Sequence, residues 1–244
     1  MNDETAAIDD PHVVPARILR TLIADRRSCR AFLPQAVPHE TIAEMLEMAQ
    51  GSASWCNAQP WQVIITEGEA TDRFREALYA FVDAQDIDEL NAAAPPSDFP
   101  FPDRYAGIFQ QRRRETGWAL YEAVGVQRGD REGSARQAME NFRLFGAPHV
   151  MILTVEDDLG VYGAVDCGLY LANLMLAAQS LGIATIAQAA LANCSGFIRD
   201  YFAIPANRRI LCGLSFGHAD ETHPANGFRT RRAGIEDVAT FVGG

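Results

Sequence analysis

From Gly160 to Leu181 the chain runs for about six helical turns without presenting a polar face. Leu169, Leu171, Leu174, Met175 and Leu176 are interspersed with Gly163, Ala164, Gly168, Ala172, Ala177 and Ala178, small residues that let another backbone come close. A helix that is apolar all round must be covered all round. A chain of 244 residues has little spare protein to do the covering. Two arrangements stay open: burial inside one large domain, or a contact between subunits.

Composition narrows the class. With 48% hydrophobic and 22% charged residues, the chain suits one globular domain, with or without an inserted subregion, better than two. A net charge of -11 argues against nucleic acid and against a membrane surface as partners, because both call for a positive face. Small anions stay possible. Met1 to Pro15 is acidic without an apolar run of signal-peptide length, and no stretch reaches the roughly 18 uncharged apolar residues of a membrane span. Cys29, Cys56, Cys167, Cys194 and Cys212 are odd in number, widely spaced and free of any CxxC pair, as in a reduced compartment. A cytoplasmic protein without a metal site is expected.

Periodicity places helices over Pro15–Arg26, over Pro38–Gly51 and over residues 70–91, besides the long one. Strands are expected at Trp61–Thr66, His149–Val155 and Arg209–Gly217, with a short one at Ile183–Ala187. Residues 1–14 read as a flexible tail and 15–244 as a single domain. Between about 92 and 136 the composition shifts to Ala-Pro-Pro-Ser, Phe-Pro-Phe-Pro and Gln-Arg-Arg-Arg-Glu, which reads as an inserted helical cap or as a self-packing helical hairpin. Ser52 to Trp61 is too polar and too aromatic for a mere turn.

Two knots of arginine stand near the two ends, Arg26-Arg-Ser-Cys-Arg30 and Arg229-Thr-Arg-Arg232. In an acidic chain, guanidinium groups converging with a Ser hydroxyl can hold one small phosphate by forked, charge-assisted hydrogen bonds. The alternative is two solvated helix ends paired with acids. Gly213-Leu-Ser-Phe-Gly217 matches a hydrolase nucleophile pattern, which requires strand, Ser and helix in succession with Asp and His later. Here a polar loop follows instead, so Ser215 reads as a strand residue between two close-packed glycines. His218-Ala-Asp-Glu-Thr-His223 lacks the helical H-E-x-x-H register and reads as a solvated loop rather than a metal site. With no G-x-G-x-x-G or Walker A sequence, phosphate binding must rest on the arginines.

Arg26-Arg-Ser-Cys-Arg-Ala-Phe32, Ser54-Trp-Cys-Asn-Ala-Gln-Pro-Trp61, Leu181-Gly-Ile-Ala-Thr-Ile-Ala-Gln-Ala-Ala190 and Arg229-Thr-Arg-Arg232, in this order, resemble the FMN-dependent nitroreductase family over about residues 15–242. The resemblance implies an α+β fold, a three-layer α/β/α sandwich with a central, mainly antiparallel sheet, in an intertwined homodimer holding two FMN at its interface. The 160–181 helix then becomes the interface core. It also implies NADPH or NADH as donor and, by a ping-pong route, an electron-poor acceptor such as a nitroaromatic or quinone. Enone reductases, dehalogenases and non-catalytic flavin binders would share the same flavin-holding residues. Since the flavin carries the hard chemistry, no acid-base triad is required.

Carried over by position, Arg26, Arg27, Ser28 and Arg30 form the first FMN segment. Arg26 grips the phosphate with Arg229 and Arg231, Ser28 bonds ribityl or phosphate, and Arg30 lies under the pyrimidine edge, where negative charge develops on reduction. Ser54, Trp55, Asn57 and Gln59 reach the partner's flavin, Trp55 also shaping the substrate pocket. Ala187, Gln188 and Ala189, with Ala190, pass along the flavin edge and give a backbone N–H to its N5. Arg143 is either a cofactor contact or a partner for acids in the cap. Asn141, Tyr105 and Phe109 are expected at the substrate.

Overall fold

The computed structural model describes residues 13–85 and 97–243. Four strands, β1 (Trp61–Thr66), β2 (His149–Glu156), β3 (Ala184–Gln188) and β4 (Arg208–Gly217), form one antiparallel sheet in the order β1-β2-β4-β3. The helices are α1 (Val13–Asp25), α2 (His39–Gln50), α3 (Glu69–Asp83), α4 (Gly107–Ala123), α5 (Arg131–Met139), α6 (Gly160–Ser180) and α7 (Ser195–Phe202).

Strand β2 is buried at seven of its eight positions because both its faces are covered. Met151, Leu153 and Val155 point into a core built with α2 and α6, whereas Val150 and Ile152 point into a second core built with α3 and α7. The result is the three-layer sandwich with an antiparallel sheet that the resemblance implied. Tyr170 of α6 stacks on Trp61, ring centroids 4.8 Å apart, and the Trp61 indole donates to Gln50 Oε1 at 2.7 Å. Fully buried side chains of this size contribute roughly 1.5 to 3 kcal/mol each, so Tyr170, Leu174, Met45 and Phe216 fix the rotation of α6 against the sheet.

The sheet-facing side of α6 is buried, and Gly163 on it cannot be larger: a Cβ there would lie 2.8 Å from Leu159 and 2.9 Å from Val155. The opposite side is bare. Val161, Tyr162, Val165 and Leu169 are 70, 57, 53 and 46% exposed, and α1, which packs on α6, buries none of its own residues and leaves Ile18, Leu19 and Ile23 in the open. Burial within one domain therefore accounts for only one face of the helix. Contrary to expectation, Asp157–Ser180 is long and apolar enough to cross a membrane by length and composition. Its packing on the sheet explains the apolarity of its buried face as that of a core helix.

Apart from α7, which was not expected, the elements otherwise lie within a few residues of expectation. Helix α1 begins at Val13, so positions 13 and 14 are not tail, while residues 1–12 lie outside the described residues. The expected helix 70–91 ends at Asp83, and its far end and the first part of the cap, 92–96, also lie outside them. The described part of the cap is the pair α4 and α5, and α5 runs past residue 136 to Met139.

His149, 1% exposed at the start of β2, has a single workable tautomer. Its Nε2 accepts from the Val37 N–H at 2.9 Å, so Nδ1 carries the proton and donates to the Thr66 carbonyl at 3.2 Å. Burial lowers its pKa below 6.5. The unfolded chain therefore takes up a proton near pH 6.5 that the folded chain refuses, and stability falls as pH drops from 6.5 toward the folded value. Urea unfolding of wild type and His149→Gln across this range should differ by a slope of at most about 1.4 kcal/mol per pH unit. Parallel curves would show that His149 does not govern this response.

Candidate functional site

The first arginine knot leaves the C-terminus of α1 and runs extended beside the free edge of β3. Ser28 forms a parallel bridge to Thr185, and the Cys29 N–H donates to the Thr185 carbonyl at 3.0 Å. The second knot is brought to it by Asn226, 3% exposed. Asn226 Oδ1 accepts from the Arg30 N–H at 2.7 Å, and its Nδ2 donates to the carbonyls of Ala31 and Asp220 at 2.9 Å each. Sequence reasoning passed over Asn226 as loop. The Pro224-Ala-Asn-Gly turn containing it was the available signal.

The two knots meet in a cleft of about 390 Å³ lined by Arg26, Arg27, Ser28, Arg30, Arg229 and Arg232, with Phe228 as an apolar wall. Burial, and then the like charge of Arg232, lower the Arg26 pKa. A phosphate dianion relieves that repulsion, so the donor set suits one. Arg30 is also lowered by burial, and its guanidinium lies 5.4 Å from the Phe228 ring and donates to the Ser28 carbonyl at 3.2 Å. Arg27 forms an ion pair with Glu221 and thereby ties the 218–226 loop to the knot. Arg231, expected at the phosphate, lines a neighbouring cleft instead, and Arg232, which was not expected, takes the place beside Arg26. Alternate residues of an extended segment face opposite ways, which separates the two.

Trp55, Cys56 and Asn57 form a single 3-10 turn before β1. Cys56, Asn57 and Gln59 have φ of 52, 57 and 47°, a conformation costing non-glycine residues on the order of 1 kcal/mol each. The turn is held by Asp166 of α6, whose carboxylate oxygens accept from the Trp55 N–H at 3.1 and 3.2 Å, and by Ser54 Oγ, which accepts from the Gln59 N–H at 3.0 Å. Trp55 itself is exposed and rests edge-on against Tyr162 at 4.6 Å. None of Ser54, Trp55, Asn57 and Gln59 lines the arginine cleft of its own chain. Through Trp55 and Tyr162 the turn meets the bare side of α6. Asp166→Ala should loosen the turn by about 1.5 to 3 kcal/mol, seen as faster proteolysis near Trp55, with Asp166→Asn restoring protection. Equal protection in all three proteins would dismiss the clamp.

At the end of β3, Ala187 and Ala189 are exposed and Gln188 is buried. Gln188 Oε1 accepts from Ser215 Oγ at 2.5 Å and its Nε2 donates to the Asn141 carbonyl at 2.7 Å, so its side chain is spent on the fold. Ser215 is fully buried in mid-strand, and Gly213 presses against Leu191, where a Cβ would come within 2.4 Å of Cδ2; this is strand packing, not a nucleophile. Asp220 Oδ1 accepts from the Thr222 N–H and hydroxyl, and His223 Nδ1 accepts from the Ala225 N–H, bonds that shape the turn. The Arg143 guanidinium lies over the Tyr79 ring at 4.6 Å, donates to the Tyr79 hydroxyl at 3.2 Å and forms an ion pair at 3.8 Å with Glu140, which caps the C-terminus of α5. Asn141, Arg143, Tyr105 and Phe109 lie outside the arginine cleft of their own chain, with Tyr105 and Phe109 exposed on the cap side.

With this geometry in place, comparison with known proteins is specific. A model of the Nitroreductase family matches residues 23–218. The nitroreductase NfnB of Mycolicibacterium smegmatis is 37% identical over 232 residues, 95% of this chain and 95% of the relative. The 4-nitrobenzoate reductase of Pseudomonas putida is 32% identical over 225 residues, 91% of this chain and 94% of the relative. The crystal structure of the FMN-dependent nitroreductase NfnB from Mycobacterium smegmatis in complex with NADPH aligns with a TM-score of 0.85 at 35% identity, covering 93% of this chain and 99% of that one.

Proposed function

The chain belongs to the nitroreductase family, and from that premise we propose that two copies pair across the bare side of α1 and α6 and share two FMN between them. The protein is an FMN-dependent oxidoreductase that takes electrons from NAD(P)H and delivers them to nitroaromatic acceptors. The observation that carries this assignment is the meeting of Arg26, Ser28 and Arg30 with Arg229 and Arg232 in one cleft. Their donors fit a phosphate tail, with Arg30 set apart from the rest by also lining the hollow beside Phe145 and His223.

When bound, FMN supplies the two-electron chemistry. The chain's own residues bind and orient it. Arg26, Arg229 and Arg232 neutralise the phosphate, Ser28 adds a hydrogen bond, and Arg30 is a fixed cation for negative charge developing on the pyrimidine edge. The exposed edge at Ala187 and Ala189 offers backbone N–H groups without a side chain in the way. The Trp55 turn, clamped to α6 by Asp166, reaches the site of the other copy, where Trp55, Asn141, Tyr105 and Phe109 contact the substrate. Donor and acceptor occupy the same open cleft in turn, a ping-pong order, and protons come from water.

Five unpaired cysteines, four of them buried, support a cytoplasmic setting. The test of the assignment is optical. The yellow protein, kept anaerobic, should bleach on adding NADPH or NADH and recolour on adding a nitroaromatic or quinone. A flavin that neither nucleotide bleaches would make the protein a flavin carrier rather than an enzyme.

A further inference from the structure

A second cleft, of about 800 Å³, shares Arg229, Thr230 and Arg232 with the first and is closed on its far wall by Arg112, Glu115 and Thr116 of α4. Four guanidinium groups, those of Arg112, Arg229, Arg231 and Arg232, face one carboxylate there, that of Glu115. Glu115 is already engaged, its Oε1 accepting from Gln111 at 2.8 Å. None of the four arginines forms an ion pair among the described residues. In a chain of net charge -11, so many unpaired cations on one small surface mark an anion site.

The size suits a nucleotide fragment rather than a lone ion. Ala119, Ala233 and Val238 give the cleft an apolar side on which a base can lie, while the guanidinium groups line the rest. Of these two clefts, Arg26 and Arg30 line the first and not the second, and Arg112 and Arg231 the second and not the first. Two phosphates can thus be held at once, on either side of a shared Arg229–Arg232 segment. Of the two nicotinamide donors, only one carries a further phosphate on its adenosine, at the ribose 2′ position.

We propose that the second cleft takes the adenosine 2′-phosphate end of NADPH, and that Arg112 and Arg231 make the protein selective for NADPH over NADH. The choice of ligand rests on the flavin reading above, while the site can be tested without it. Calorimetric titration of the purified protein with adenosine 2′,5′-bisphosphate and with 5′-AMP reads the 2′-phosphate directly. The wild type should bind the bisphosphate on the order of ten- to a hundredfold more tightly, the value of one charged hydrogen-bonding partner. In Arg112→Ala, and in the milder Arg112→Gln, that preference should fall to near parity while flavin absorbance is retained. Equal affinities in the wild type overturn the proposal, as does a preference that survives both Arg112→Ala and Arg231→Ala. Loss of flavin from a folded Arg112→Ala protein also overturns it, since the cleft would then belong to the flavin phosphate. A flavin-free wild type that still discriminated would instead refute the flavin reading and leave this one standing.

Discussion

Replacing Leu169 by Arg should leave the protein monomeric and strip it of flavin. Leu169 sits in the middle of the bare stripe of α6, in line with Val161, Val165 and Tyr162, and next to the exposed Ile18, Leu19 and Ile23 of α1. Across a two-fold interface each substitution occurs twice. Two leucines then lose roughly 1.5 to 3 kcal/mol of burial apiece, and two guanidinium groups without partners bring a desolvation penalty of several kcal/mol each. That exceeds what a marginal association can absorb. The fold itself should survive, because the position is solvated in the single chain. Light scattering reports the mass and flavin absorbance the cofactor. A dimer that persists would place the interface elsewhere, and a monomer with full flavin would show that each chain holds its cofactor alone.

Arg229→Ala should weaken FMN retention by about 1.5 to 3 kcal/mol, the cost of losing a charged hydrogen-bonding partner, or roughly 10- to 150-fold in dissociation constant. Arg229 is held toward the cleft by bonds from its Nη1 to the carbonyls of Asn226 and Phe228, at 2.9 and 3.0 Å, so its position is set before any phosphate arrives. Arg26→Ala should have a similar effect, and the double variant less than the sum, since both act on one anion. Arg231→Ala, outside that cleft, should change flavin affinity least. Fluorescence titration of the apoprotein with FMN ranks the four. If Arg231→Ala lost as much affinity as Arg229→Ala, the division of the second knot between two clefts would be wrong.

Strand β1 and helix α6 were readable to within a residue because their patterns are dense: four of the six residues in Trp-Gln-Val-Ile-Ile-Thr are β-branched, and α6 is predominantly apolar over its full length. Helix α7 was not foreseen. At eight residues, Ser-Gly-Phe-Ile-Arg-Asp-Tyr-Phe, it is too short to establish a helical period and forms because Ile198 is fully buried against Phe74 and Leu78. The arginine knots announced a phosphate site in outline, through charge contrast alone. Which arginine faces which cleft depends on backbone direction past Phe228, and no local pattern encodes that. The same holds for Asn226, whose partners Arg30 and Ala31 lie almost the whole chain away. Nor could the sequence say how the Gln188 side chain is used: its amide is consumed by Ser215 and Asn141, neighbours only in the folded sheet.

The Asn226 staple also dictates when a newly made chain becomes competent. The cleft requires Arg26 to Arg30, made before the sheet, to wait for β3, β4 and finally Phe228 to Arg232. Closing so large a loop comes late in folding, after local contacts have formed. A nascent or truncated chain lacking the last segment cannot assemble the two-sided grip, however well its sheet has formed. Cofactor capture thus waits on synthesis past Arg232, and bound flavin, which stabilises only the state with both arginine segments in place by mass action, acts as a latch on chains made at least that far.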